Sequence, residues 1–157
     1  MSDLWILRPA RAPWGDYGRI LVAGMSAHLP RKEGLIQLER TGPFIPPVSF
    51  PGLGDIVVAA NFRAALESSG LTGISFQPVI KARIVELNWP LWDSTSDDPA
   101  EYPAEGAPED YILARPHSDE VSAQLGDVWE LVAREVNEVS ATARLLPDSG
   151  KASDSCK

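Results

Sequence analysis

Residues 61–87 read NFRAALESSGLTGISFQPVIKARIVEL, and the change of period inside this stretch sets the fold class. Phe62, Ala65, Leu66 and Ser69 recur at three- and four-residue steps, the spacing of one helix face, and Gly70 is a natural stop. After Leu71-Thr72-Gly73 the pattern becomes extended. Ile74 and Phe76 lead into Val79 to Leu87, where Ala82, Ile84 and Glu86 alternate with Arg83, Val85 and Leu87. Pro78 has no amide to donate, so the run bends there or lies at a sheet edge. A helix that turns through glycines into a long strand predicts an α+β protein.

Upstream, Leu4 to Leu7 reads as a short strand and Arg8 to Asp16 as a loop. Arg19 to Met25 is rich in Ile, Leu and Val and reads as a buried strand. Leu35, Ile36 and Leu38 predict another strand ending near Thr41-Gly42. Pro43, Pro46, Pro47 and Pro51 exclude a central strand from residues 42–55. The interleaved Phe44, Ile45, Val48, Phe50 and Leu53 predict an ordered loop packed on the domain. Ile56 to Val58 reads as a brief strand.

Downstream, residues 93–110 contain Pro99, Pro103, Gly106 and Pro108, which predicts a loop of about eighteen residues, a length that is usually functional or disordered. Tyr111 to Ala114 reads as a return to the sheet. Ser118 or Asp119 would cap a short helix to Leu125, ended by Gly126. Leu125, Val128, Val132, Val136, Val139, Ala143 and Leu146 recur at helical steps, so a helix is the preferred reading of 128–146. The β-branched valines and Asn137 leave a hairpin open. The whole is a single domain over residues 1–146: a mostly antiparallel sheet of about five or six strands, with one to three helices on one face. Residues 147–157 are small and polar and read as a disordered C-terminal tail.

With 157 residues and a formal net charge of -8, the chain lacks the basic footprint of a nucleic-acid binder and would be repelled by an anionic membrane. Its apolar runs are too short for a signal-peptide core or a membrane span, so a cytoplasmic location is expected. Acidic charge is also clustered. Between Arg83 and Arg115 there is no Lys or Arg, yet the interval holds Glu86, Asp93, Asp97, Asp98, Glu101, Glu105, Glu109 and Asp110. Trp89, Trp92, Tyr102 and Tyr111 stand among them. Charge without countercharge projects a negative field, and aromatic rings supply contact area. The expected partner-binding residues are Trp92, Asp93, Asp97, Asp98, Glu101, Tyr102, Glu105, Glu109, Asp110 and Tyr111. The alternative for the tryptophans is a place in the core.

Catalytic patterns are weak by comparison. Cys156, the lone cysteine, lies in the expected tail and has no fixed base beside it. His117-Ser118-Asp119 holds the residue types of a hydrolytic triad, but sequence neighbours seldom meet in triad geometry. Asp93-Ser94-Thr95-Ser96-Asp97 begins like a calcium loop; Asp98 then stands where glycine is needed, and Ala104 where a bidentate glutamate belongs. Gly52-Leu53-Gly54 has no following lysine for a phosphate loop. No catalytic residue, cofactor or metal is assigned, and a non-enzymatic protein is expected.

Residues 38–55 (LERTGPFIPPVSFPGLGD), 57–66 (VVAANFRAAL) and 70–79 (GLTGISFQPV) resemble segments of small bacterial immunity proteins that neutralise polymorphic toxins. The resemblance spans roughly residues 38 to 92. Some members carry paired Cys-x-x-Cys-Gly motifs; this chain has none, which removes any metal-knuckle function. The resemblance implies a protein that binds and neutralises a cognate toxin domain, with the acidic segment meeting a basic face. The alternatives are a small hydrolase using acidic residues, with two carboxylates converging on His28 or His117, or a non-catalytic scaffold or regulatory subunit.

Overall fold

In the computed structural model, residues 14–93 and 95–133 are described. In chain order they form α1 (Gly15–Ala23), β1 (Gln37–Gly42), β2 (Val48–Gly52), β3 (Asp55–Ala59), α2 (Ala60–Ser68), β4 (Ile74–Pro78), β5 (Ile80–Glu86), α3 (Pro108–Leu113), α4 (Asp119–Leu125) and β6 (Val128–Ala133). Strands β2, β3, β6 and β4 lie side by side in that order as an antiparallel sheet. Strands β1 and β5 form a separate parallel pair. The architecture is α+β. Both edge strands of the larger sheet carry a proline, Pro51 in β2 and Pro78 in β4, where a missing donor breaks no interior ladder.

The parallel pair is the structural divide. Successive residues of a strand point to opposite faces. Ile84 therefore joins Ile36, Leu38, Val57, Val121, Leu125 and Val128 in one core, while its neighbour Val85 joins Trp14, Tyr17, Leu21, Met25, Tyr111 and Ile112 in another. Burial on both faces is what a parallel pair requires. Helix α4 closes the first core. The Ser118 hydroxyl caps it by accepting from the Val121 amide at 3.3 Å, and Gly126 ends it at φ 72. Gly42 lets α4 come close: a Cβ there would lie 2.8 Å from Val121 Cγ1.

Three expected elements take another form. Arg19 to Met25 is not a strand; α1 runs from Gly15 to Ala23 and turns Tyr17 and Leu21, four residues apart, into one core. Tyr111 to Ala114 does not re-enter a sheet. It ends α3, which begins at Pro108 with Glu109 and Asp110 in its first turn, the residues a helix N-terminus favours. The start of 128–146 is not helical but β6, paired with both β3 and β4. Within 42–55 the expected loop contains β2, at an edge. Leu4 to Leu7, residues 134–146, the tail 147–157 and Cys156 lie outside the described residues. Among the described residues no helix is long and apolar enough to cross a membrane.

One polar network ties the segment before β1 to the larger sheet. Arg31 donates to both carboxylate oxygens of Glu130 in β6, at 2.8 Å each, and to Asp55 in β3 at 2.7 Å. Gln77 in β4 donates to Glu130 at 2.6 Å, and the Ser26 hydroxyl donates to Asp55 at 2.6 Å. Burial pushes the Glu130 carboxyl up, but the hydrogen bonds from Arg31 and Gln77 and the Arg31 charge outweigh it and hold the group below its usual range. A carboxyl depressed in the folded state contributes stability above its unfolded pKa of about 4.3 and loses it as pH falls through the lower folded value. Arg31→Met should therefore lower stability at pH 7 by about 1 kcal/mol, modest because the Arg31 side chain is partly solvated. The gap between variant and parent melting temperatures should narrow as the pH falls below about 4. A gap of the same size at pH 3 and pH 7 would contradict this.

Candidate functional site: an acidic loop on aromatic anchors

The segment between β5 and α3 crosses the open side of the core that α1 helps to form. Trp14 is the post it wraps. Its ring is 5% exposed and meets Trp89 edge-on, with centroids 5.2 Å apart, and Trp92 edge-on at 4.8 Å. Its backbone amide donates to the Asp97 carbonyl at 2.8 Å. One turn later in α1, Tyr17 packs against Trp89 at 6.0 Å and Tyr102 at 5.2 Å. Burial is the main cause that pushes the Tyr17 hydroxyl up to about 12, with Glu105 adding to it, so it stays neutral throughout the physiological range.

The two ends are fastened separately. At the start, Asp93 makes an Asx turn: its carboxylate accepts from the Thr95 amide at 2.8 Å and the Thr95 hydroxyl at 2.7 Å. The Thr95 hydroxyl, then its amide, hold the Asp93 carboxyl below its ordinary range. At the far end Tyr111 is 1% exposed, and its hydroxyl donates to Asn88 Oδ1 at 2.9 Å while accepting from the Asn88 amide at 3.2 Å. Arg115 lies 3.5 Å over the Tyr111 ring centroid and reaches Glu105 at 2.8 Å. Glu105 is held below its usual range by its own backbone amide first and, against a smaller opposing effect of burial, by Arg115.

The ten residues expected at a partner surface separate into distinct groups. Asp93, Asp97, Asp98, Glu101 and Asp110 are exposed, and none is ion-paired with a cation among the described residues. Glu109 is half-buried in the first turn of α3. Glu105 is half-buried and neutralised by Arg115. Tyr102 is 62% exposed with one flank on Tyr17. Tyr111 is a core residue, out of a partner's reach, which corrects its expected contact role. Trp92 is half-buried and spends its ring on Trp14, so it is chiefly an anchor. Sequence reasoning missed Trp14, Tyr17 and Arg115. The helical spacing of Tyr17 and Leu21 was the available signal for the first two.

The residues considered for hydrolysis are structural ties. Ser118 accepts from the Val121 amide, and His117 Nδ1 accepts from the Ile84 amide at 3.0 Å, so no triad forms there. His28 Nδ1 lies 2.6 Å from Glu39, a 2% exposed carboxylate whose other oxygen accepts from Arg83 at 3.0 Å. His28 thus meets one carboxylate that is already neutralised, not a converging pair. Among the described residues no cluster of three or more His, Cys, Asp or Glu could hold a metal ion.

No protein-family model, curated protein or solved structure matches the chain.

The anchoring separates two aromatic roles. Trp92→Ala removes a ring packed on Trp14 and should lower stability by about 2 kcal/mol. Tyr102→Ala removes a largely exposed ring and should change stability by about 0.5 kcal/mol or less. Urea unfolding of both variants checks this; equal losses would contradict the assignment.

Proposed function

We propose that this chain is a cytoplasmic, immunity-type bacterial protein that binds a cognate protein toxin and neutralises it by occlusion. Exposed carboxylates of residues 93–110 meet a basic face of the toxin, such as the surface a nuclease uses to hold its substrate. The observation that carries the reading is the set Asp93, Asp97, Asp98, Glu101 and Asp110: exposed and without described counter-cations, the first four on a loop pinned by Trp14 and Asp110 in the first turn of α3. A loop already held in place has less conformational entropy to lose on binding, so more of its interaction energy appears as affinity. Clustered charge of one sign raises the encounter rate with an oppositely charged partner. The resemblance of roughly residues 38 to 92 to immunity-protein segments supports this choice of partner. Glu105, spent on Arg115, contributes less than its neighbours.

The partner to test is the product of the gene adjacent to this chain's own, which the proposal expects to be a toxin. Co-expression should protect a host from it. The variant Asp97→Asn/Asp98→Asn/Glu101→Gln should associate about tenfold more slowly at low salt, with a flatter salt dependence and a near-unchanged dissociation rate. An association rate equal to the parent's at low salt would contradict the role of these carboxylates. Failure of the parent chain to protect would contradict neutralisation itself.

A further inference from the structure

Arg40, in β1, is a buried cation without a described counter-ion. It is 0% exposed. Its Nε donates to the Thr41 carbonyl at 2.9 Å and its Nη2 to the Phe44 carbonyl at 2.8 Å. Its Nη1 is shielded from solvent and has no acceptor among the described residues. Burial lowers its pKa to about 10. Guanidinium groups at rest inside proteins normally face a carboxylate, because an uncompensated buried charge is costly.

Arg40 also forms part of the wall of a cavity of about 440 Å³. The rest of that wall is chiefly apolar: Leu21, Val22, Phe44, Pro46, Leu87 and Trp92. The volume falls within the range of about 300–1,000 Å³ typical of small-molecule sites, and apolar walls with one well-placed polar group are their usual chemistry. Phe44 contributes to this wall while remaining 69% exposed, so its ring has a free face.

We propose that this cavity binds a small apolar monocarboxylate, its carboxylate received by Arg40 and its hydrocarbon chain packed against Trp92, Phe44 and Leu87. One unpartnered guanidinium nitrogen suits a single charge, and because that nitrogen is shielded from solvent the ligand must displace the atoms that cover it. Among the described residues that line the cavity Arg40 is the one cation, so a phosphate dianion would keep excess charge in an apolar space. The chain's net charge of -8 opposes multivalent anions further. This site stands apart from the toxin-binding reading, since its ligand needs none of the loop carboxylates.

Hexanoate, with 1-hexanol as the uncharged control, tests the proposal on the full chain. Hexanoate should change tryptophan fluorescence saturably, through Trp92, and raise the melting temperature. Hexanol should bind about tenfold or more weakly, the contribution of a charge-assisted hydrogen bond. Arg40→Met should erase the difference between the two. Should that variant not fold, Val22→Phe fills the cavity while leaving Arg40 in place, and it should abolish the hexanoate response. The proposal is overturned by a flat signal and unchanged melting up to about 10 mM hexanoate, a concentration that would reveal millimolar affinity. Equal binding of hexanoate and hexanol by the parent chain, or an undiminished response in folded Val22→Phe, overturns it as well.

Discussion

Trp14 meets Trp89 and Trp92 edge-on while its backbone amide holds the Asp97 carbonyl, and this one residue joins two stretches of chain that are far apart in sequence, the start of α1 and the segment after β5. It stands at φ 66, a left-handed conformation that disfavours side chains by about 1–2 kcal/mol. Each aromatic pair contributes about 0.5–1.5 kcal/mol beyond simple burial, enough to offset that strain. The same packing sets where α1 begins and where the segment after β5 must run. Without it, a connection rich in proline and like charges would have little reason to adopt one path, because ordering each backbone residue costs about 1–2 kcal/mol.

Electrostatics on this face follows from the packing. Exposed carboxylates of one sign repel one another, and the aromatic posts hold them together against that repulsion. At physiological salt the Debye length is about 8 Å, so charges act jointly only when kept close. Arg115 neutralises Glu105 where the loop turns back toward the core, and Asp93, Asp97, Asp98, Glu101 and Asp110 face solvent. Charge of one sign on an anchored loop supplies steering at long range and a fixed shape at contact. Those are the properties an inhibitor of a basic protein surface needs.

Local signals made part of this legible in the sequence. The period of Phe62, Ala65 and Leu66 and the stop at Gly70 mark α2; Ser118 and Gly126 bracket α4; Pro78 allows the edge position that β4 takes. The remainder depended on distant partners. Glu130 is buried in β6 because Arg31, 99 residues upstream, neutralises it, and no local pattern announces that pairing. The helical step between Val128 and Val132 therefore misleads within β6. The start signal of α3, Pro108 with Glu109 and Asp110, stands inside what composition reads as loop. The acids of the loop were legible because charge needs no partner to be seen in a sequence. The direction of Trp92 and Tyr111 was not, since it is set by Trp14 and by the Asn88 side chain and backbone.

Backbone order in residues 95–110 tests this account most directly, because the acidic face works as described only if the loop is held before any partner arrives. Amide relaxation by NMR on the free protein should give order parameters of about 0.8 across these residues, near those of the strands, and a Trp14→Leu variant should let them fall. Values below about 0.6 in the parent protein, with no further change on replacing Trp14, would contradict it.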